Sequence, residues 1–120
     1  MEILMIEGGD DTPAVFFDKS NGVFEISGRS LPEDTVSFYK PVVDWIKQYQ
    51  KQPNIETNFS FKLDYFNTSS SKIILDLIGL LKEIKGMCII WHYRDDDEEI
   101  LEAGKEFSEQ VDVPFEFKEY

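Results

Sequence analysis

Four consecutive hydroxyls, Thr68-Ser69-Ser70-Ser71, stand between Asn67 and Lys72, where an alternating segment gives way to an apolar one. Two kinds of chemistry suit such a run. A Ser or Thr oxygen at a helix N-terminus accepts a hydrogen bond from a first-turn N–H, and its loss costs about 1 kcal/mol. One hydroxyl is enough for a cap, and here there are four. The second chemistry is phosphorylation, which adds about −1.5 to −2 charge and three acceptor oxygens at a helix end whose free N–H groups and dipole favour anions. On the residues alone both readings stay open.

Other groups invite chemistry and lead less far. The carboxylates Asp95-Asp96-Asp97-Glu98-Glu99 are the natural place to look for a divalent cation, and a small metal-binding protein or enzyme built on them is the more distant alternative. The run lacks the alternating ligands and central glycine of a calcium loop, whereas acidic groups in a first helical turn each contribute about 0.3–1 kcal/mol. His92 is the only histidine and alternates with Trp91 and Tyr93. No spacing supplies it with a nucleophile and an orienting partner, so it reads as a structural or interface residue. Cys88, the one cysteine, lies in Met87-Cys88-Ile89-Ile90-Trp91, has no internal disulfide partner and reads as a buried thiol. The paired glycines Gly8-Gly9 lead into Asp11-Thr12-Pro13 with no helix to receive a nucleotide. No cofactor is implied, and ATP chemistry belongs to another protein.

These groups need elements to hold them. Phe59, Phe61, Leu63 and Tyr65 alternate with Asn58, Ser60, Lys62 and Asp64, the period of a half-buried strand. After the hydroxyls, Ile73, Ile74, Leu77, Ile78, Leu81 and Ile84 recur at helical spacing, widened by Leu75 and Leu80, so this helix should lie deep against a sheet. Gly86 should stop it, and Met87 to Tyr93 reads as a strand parallel to the first through a right-handed crossover. Upstream, Ile3 to Ile6, Val15 to Phe17 and Val23 to Ser27 are short strands, the latter two joined at Ser20-Asn21-Gly22. Ser30-Leu31-Pro32-Glu33 reads as a capping box opening a helix to about Gln50, with Phe38, Val42, Trp45, Ile46 and Tyr49 inward and Pro41 predicting a kink or a later start. A third helix over about Asp97 to Gln110 turns Ile100, Leu101, Ala103, Gly104 and Phe107 inward, and Phe115 to Tyr120 is a last strand. The expected fold is α/β with an α+β character: a mixed sheet of five to six strands, three main helices largely on one face, and the other face partly open.

Composition bounds the partners. With 120 residues, 42% hydrophobic and 14% aromatic, residues 1–120 are expected to form a single domain with its own core. Twelve basic against twenty-four acidic residues give a formal charge of −12, which repels a phosphate backbone and anionic lipid and suits a basic patch on another protein. Nucleic acid and membrane are therefore not expected partners. No apolar run reaches the roughly 18 residues of a spanning helix, and Met1 to Glu7 lacks the basic start and cleavage region of a signal peptide. A cytoplasmic protein is expected.

The segment Leu63-Asp64-Tyr65-Phe66-Asn67-Thr68-Ser69-Ser70-Ser71-Lys72 resembles the strand-loop-helix of the SiaC family of bacterial regulatory phosphoproteins. Thr12-Pro13-Ala14, Gly28-Arg29-Ser30-Leu31-Pro32-Glu33, Trp91-His92-Tyr93 and Val113-Pro114-Phe115 agree with it in order, so the resemblance covers almost the whole chain. It implies that Thr68 is the phosphoacceptor of a non-enzymatic switch. A dedicated kinase and a phosphatase of the metal-dependent type would set its state, and the unphosphorylated form would bind and activate a diguanylate cyclase in c-di-GMP signalling. The family is also similar to anti-sigma-factor antagonists in fold (STAS-like) and in partner-switching logic, which leaves an anti-sigma kinase or another regulator as the nearer alternative target. Asn67, Ser69, Ser70, Ser71 and Lys72 are expected to frame the partner surface. Ser71 extends the run beyond the family's signature and offers a kinase one more acceptor.

Overall fold

A computed structural model describes all residues, 1–120. Its elements run β1 (Leu4–Ile6), β2 (Ala14–Asp18), β3 (Val23–Ser30), α1 (Thr35–Tyr49), β4 (Thr57–Phe66), α2 (Thr68–Lys82), β5 (Met87–Tyr93), α3 (Glu98–Gln110) and β6 (Phe115–Glu119). The six strands form one sheet in sequence order, β1-β2-β3-β4-β5-β6. The first two pairings are antiparallel. Asn21-Gly22 makes the β2–β3 turn, with Gly22 at φ 67° where a side chain is disfavoured and Asp18 accepting from the Asn21 backbone and side chain. From β3 onward each connection is a helix and each pairing parallel. Right-handed crossovers that keep adding strands on the same side place all three helices on one face.

Burial follows that layering. Phe24 and Ile26 of β3, Phe59, Phe61 and Leu63 of β4, and Ile89 and Trp91 of β5 are buried under the helices, together with Ile46, Ile74, Leu77 and Leu81. Glu25, Asn58, Lys62, His92 and Lys118 alternate onto the uncovered face. Cys88 and Ile90 are there too. Cys88 is therefore half-buried rather than buried as expected, and burial, then the Glu116 carboxylate, hold its thiol above the usual range. His92 presents Nε2 to Ser60 Oγ at 3.3 Å, and burial followed by nearby Lys62 pushes its pKa down. No helix is long and apolar enough to cross a membrane.

Three expectations need correction. Ser30 does not cap α1. It ends β3, fully buried, and Asp34 is the cap, its side chain accepting from Ser37 N at 3.1 Å and so held below the usual carboxylate range. The helix accordingly starts at Thr35, after Pro32, while Pro41 lies inside it. Second, Tyr65 does not share the face of Leu63. Leu63 pairs with Gly28 and Tyr65 with Arg29, leaving Asp64 as an extra residue, so the alternation slips by one. Tyr65 turns out, 46% exposed beneath the Arg29 guanidinium, and Phe66 turns in against Trp91 and Phe107. Third, α2 ends at Lys82, before Gly86. Gly86, at φ 81°, instead lets β5 start close under the Ile55 carbonyl, where a Cβ would lie 2.2 Å from that oxygen. The inward face of α1 also includes Tyr39, fully buried and absent from the expected set, while Phe38 and Trp45 are only half-buried.

Candidate functional site

The start of α2 is fixed by Asn67, not by a hydroxyl. Its backbone is extended (φ −87°, ψ 178°), and its side-chain oxygen accepts from Ser70 N at 2.9 Å. Its own N–H reaches the Ser30 carbonyl at 3.1 Å, tying the cap to the end of β3. Asn67→Ala should lower stability by about 1 kcal/mol, the usual loss for an N-cap, read as a denaturant midpoint shift without a change in slope.

Once Asn67 is the cap, the helix phase assigns each hydroxyl a different surrounding. Ser70 is fully buried, one turn above Ile74 on the inward stripe. It donates to the Ser30 carbonyl at 2.8 Å and accepts from Ser30 Oγ at 2.8 Å. A serine has one proton to give, so the Tyr39 hydroxyl, 2.6 Å from Ser30 Oγ, donates to it. Burial raises the Tyr39 phenol above its ordinary pKa, keeping that proton in place. Ser69 is exposed yet engaged. It donates to the Asn67 side-chain oxygen at 3.2 Å, so the Thr35 hydroxyl, 2.7 Å away at the start of α1, donates to it. The two helices are thereby joined end to end by hydroxyls.

Thr68 differs from both. It is the first residue of α2, exposed, and its hydroxyl takes no part in the bonds that hold Asn67, Ser69 and Ser70. Ser71, half-buried in the second turn, gives its N–H to the Asn67 carbonyl. The N–H groups of Thr68 and Ser69 are the unclaimed donors of the first turn, and they and the helix dipole favour negative charge at Thr68. Lys72 lies one turn along on the same outward side, exposed and in no ion pair. The structure thus brings Asn67 to Lys72 together but gives the six residues unlike positions: Asn67, Ser69 and Ser70 are tied into the fold, Ser71 is half-buried, and Thr68 and Lys72 face solvent.

The remaining candidates are elsewhere. Asp97 caps α3, accepting from Ile100 N at 3.0 Å, with Glu98 and Glu99 in the first turn as the dipole argument expects. No three His, Cys, Asp or Glu side chains converge as a metal site would require. Thr35 is the residue sequence reasoning missed at this site; only recognition of Asp34 as the α1 cap would have placed it beside Ser69.

A family model described as SiaC family regulatory phosphoprotein matches residues 6–120. An uncharacterized protein of Pseudomonas aeruginosa (strain UCBPP-PA14) is 31% identical over 119 residues, spanning 96% of this chain and 94% of that protein. The crystal structure of apo-SiaC from P. aeruginosa superposes with a TM-score of 0.88 at 30% identity, covering 98% of this chain and 99% of that one. A chain of the crystal structure of the P. aeruginosa diguanylate cyclase SiaD in complex with its activator SiaC matches with a TM-score of 0.90 at 30% identity over the same shares.

Proposed function

This chain belongs to the SiaC family of regulatory phosphoproteins, and on that premise we propose that residues 1–120 act as one non-enzymatic, cytoplasmic regulatory domain with Thr68 as its phosphoacceptor. The unmodified form binds and activates a diguanylate cyclase. A protein kinase and a metal-dependent phosphatase, both separate proteins, set the state of Thr68. One observation carries the assignment. Of the hydroxyls in the first turn of α2, Thr68 alone is both exposed and outside the hydrogen bonds that fasten the helix start. Asn67, Ser69 and Ser70 hold that start rigid, so phosphate added to Thr68 changes the surface and leaves the fold alone. Ser71 and Lys72 complete the rim of the partner surface. The choice of a cyclase as target rests on the relative that binds one.

The test is cyclase activation. Cyclases of the source genome, purified singly, are assayed for c-di-GMP synthesis with the unmodified chain, with the chain phosphorylated at Thr68, and with Thr68→Val. Stimulation by the first and third and none by the second supports the reading. Stimulation by all three, or by none, overturns it.

A further inference from the structure

Thr68 and Ser69 are adjacent and both exposed, so a kinase that brings ATP to one hydroxyl also brings it close to the other. Exposure does not separate them. Phosphoryl transfer forms a bond from the acceptor oxygen to the γ-phosphorus of ATP, breaks the bond from that phosphorus to the departing ADP oxygen, and passes the hydroxyl proton to a base of the kinase. A ready acceptor therefore has a proton free to turn and lone pairs free to face the phosphorus. Thr68 meets both conditions, since its hydroxyl enters none of the bonds around it. Ser69 meets neither. Its proton is given to Asn67 Oδ1 at 3.2 Å, and one of its two lone pairs takes the Thr35 proton at 2.7 Å. These two ties are unequal. If Ser69 turned outward, Asn67 Oδ1 would keep its bond from Ser70 N at 2.9 Å. The Thr35 hydroxyl, on a residue only 9% exposed, would lose its one partner, and a buried donor left unpaired costs more than the bond itself contributes.

We infer that Thr35 is a specificity-determining residue for the phosphorylation: its hydroxyl holds Ser69 Oγ in the joint between α1 and α2 and so confines the phosphate to Thr68. The inference rests on the reading of Thr68 as phosphoacceptor and adds to it a residue of another helix, 34 positions from Ser69. Ser70 and Ser71 need no such guard, because the first is fully buried and the second half-buried. The selection matters to a switch. A phosphate on Ser69 would take away the proton given to Asn67 and crowd the Thr35 hydroxyl, opening the joint that fixes both helix starts. A phosphate on Thr68 leaves that joint whole.

Phosphosite mapping after incubation with ATP and each protein kinase of the source genome in turn tests it. Wild type and Thr68→Ser first establish that a kinase places phosphate at position 68 and accepts a serine there. The remaining variants carry Thr68→Ala, so that Ser69 has no competitor. Adding Thr35→Val, which keeps the shape and removes the hydroxyl, should raise phosphate on Ser69 at least about tenfold over Thr68→Ala alone. Thr35→Ala carries the same expectation with less side chain to fit. Thr35→Ser keeps the hydroxyl and should stay at the level of Thr68→Ala alone. A role in stability only would not give that pattern, since a loosened helix start would release Ser70 and Ser71 as well. Ser69 unmodified in both variants without the hydroxyl, equal modification with Thr35→Ser, or spread of phosphate to Ser70 overturns the inference and leaves the reading of Thr68 standing. Refusal of Thr68→Ser does the same, by laying the choice on the kinase's own preference for threonine. No phosphate on Thr68 of wild type from any kinase overturns that reading, and with it the reaction that Thr35 would select.

Discussion

Phosphorylation of Thr68 should weaken cyclase binding by about a hundredfold, close to 3 kcal/mol, with no loss of fold stability. The two halves of that expectation come from different physics. At the first turn of α2 the unclaimed N–H groups of Thr68 and Ser69 and the helix dipole stabilise an anion by about 0.3–1 kcal/mol, so the melting temperature of the modified chain should stay level or rise slightly. In a complex the same phosphate, at about −1.5 to −2 charge, must be desolvated or matched by a cation. Lys72, one turn away, is the only nearby side chain of this helix able to offset it, and a single exposed ion pair contributes at most about 1 kcal/mol. Thr68→Glu carries half the charge and should cost roughly tenfold, whereas Thr68→Val should bind as wild type. Titration calorimetry of the three forms against the cyclase checks the series. A phosphorylated chain that lost affinity together with its melting transition would point to unfolding, not to a surface switch.

Gly104→Ala should lower stability by roughly 3 kcal/mol, a fall of about 10 °C or more in melting temperature. A Cβ on Gly104 would stand 2.4 Å from Trp91 Cδ1 and Nε1. The indole has nowhere to go. It is fully buried against Phe61, Phe66 and Phe107, and its Nε1–H donates to the Ile100 carbonyl at 2.8 Å, so moving the ring strands a buried donor. The same substitution at Gly79, where a Cβ meets nothing, should stabilise the protein by about 0.8–1 kcal/mol. Opposite signs for one chemical change at two helical glycines separate a packing constraint from a surface left bare. Chemical denaturation of both variants beside the wild type is sufficient to measure it.

Most of the architecture was legible because it follows from local patterns. The turn at Asn21-Gly22, the alternation in β4 and the apolar stripe of α2 each announce themselves within a few residues, and the crossover rule then orders the parallel strands. What was not legible depends on residues distant in the chain. Ser30 has the chemistry of a cap, but its oxygen is committed to Tyr39 and to Ser70, forty positions away. Asp34, three residues before Ser37, was the better local signal. The bulge at Asp64 arises from pairing with Gly28, and nothing in Leu63-Asp64-Tyr65-Phe66 marks the slip. At the site, four hydroxyls look alike as residue types. They part only when the helix phase is known: counting back from Ile74 puts Ser70 inward, and counting back from Gly79 puts Thr68 outward. Asn67, a strong N-cap residue, was the clue that sets that phase.

A phospho-switch at the start of α2 requires that Thr68, and not a neighbouring serine, take the phosphate. Intact-mass analysis with phosphosite mapping, after incubation with ATP and each candidate protein kinase of the source genome in turn, compares wild type, Thr68→Ala and Ser71→Ala. A single phosphate on Thr68 in wild type and in Ser71→Ala, and none in Thr68→Ala, is the predicted result. Phosphate on Ser69, Ser70 or Ser71 in wild type, or undiminished modification of Thr68→Ala, would contradict it.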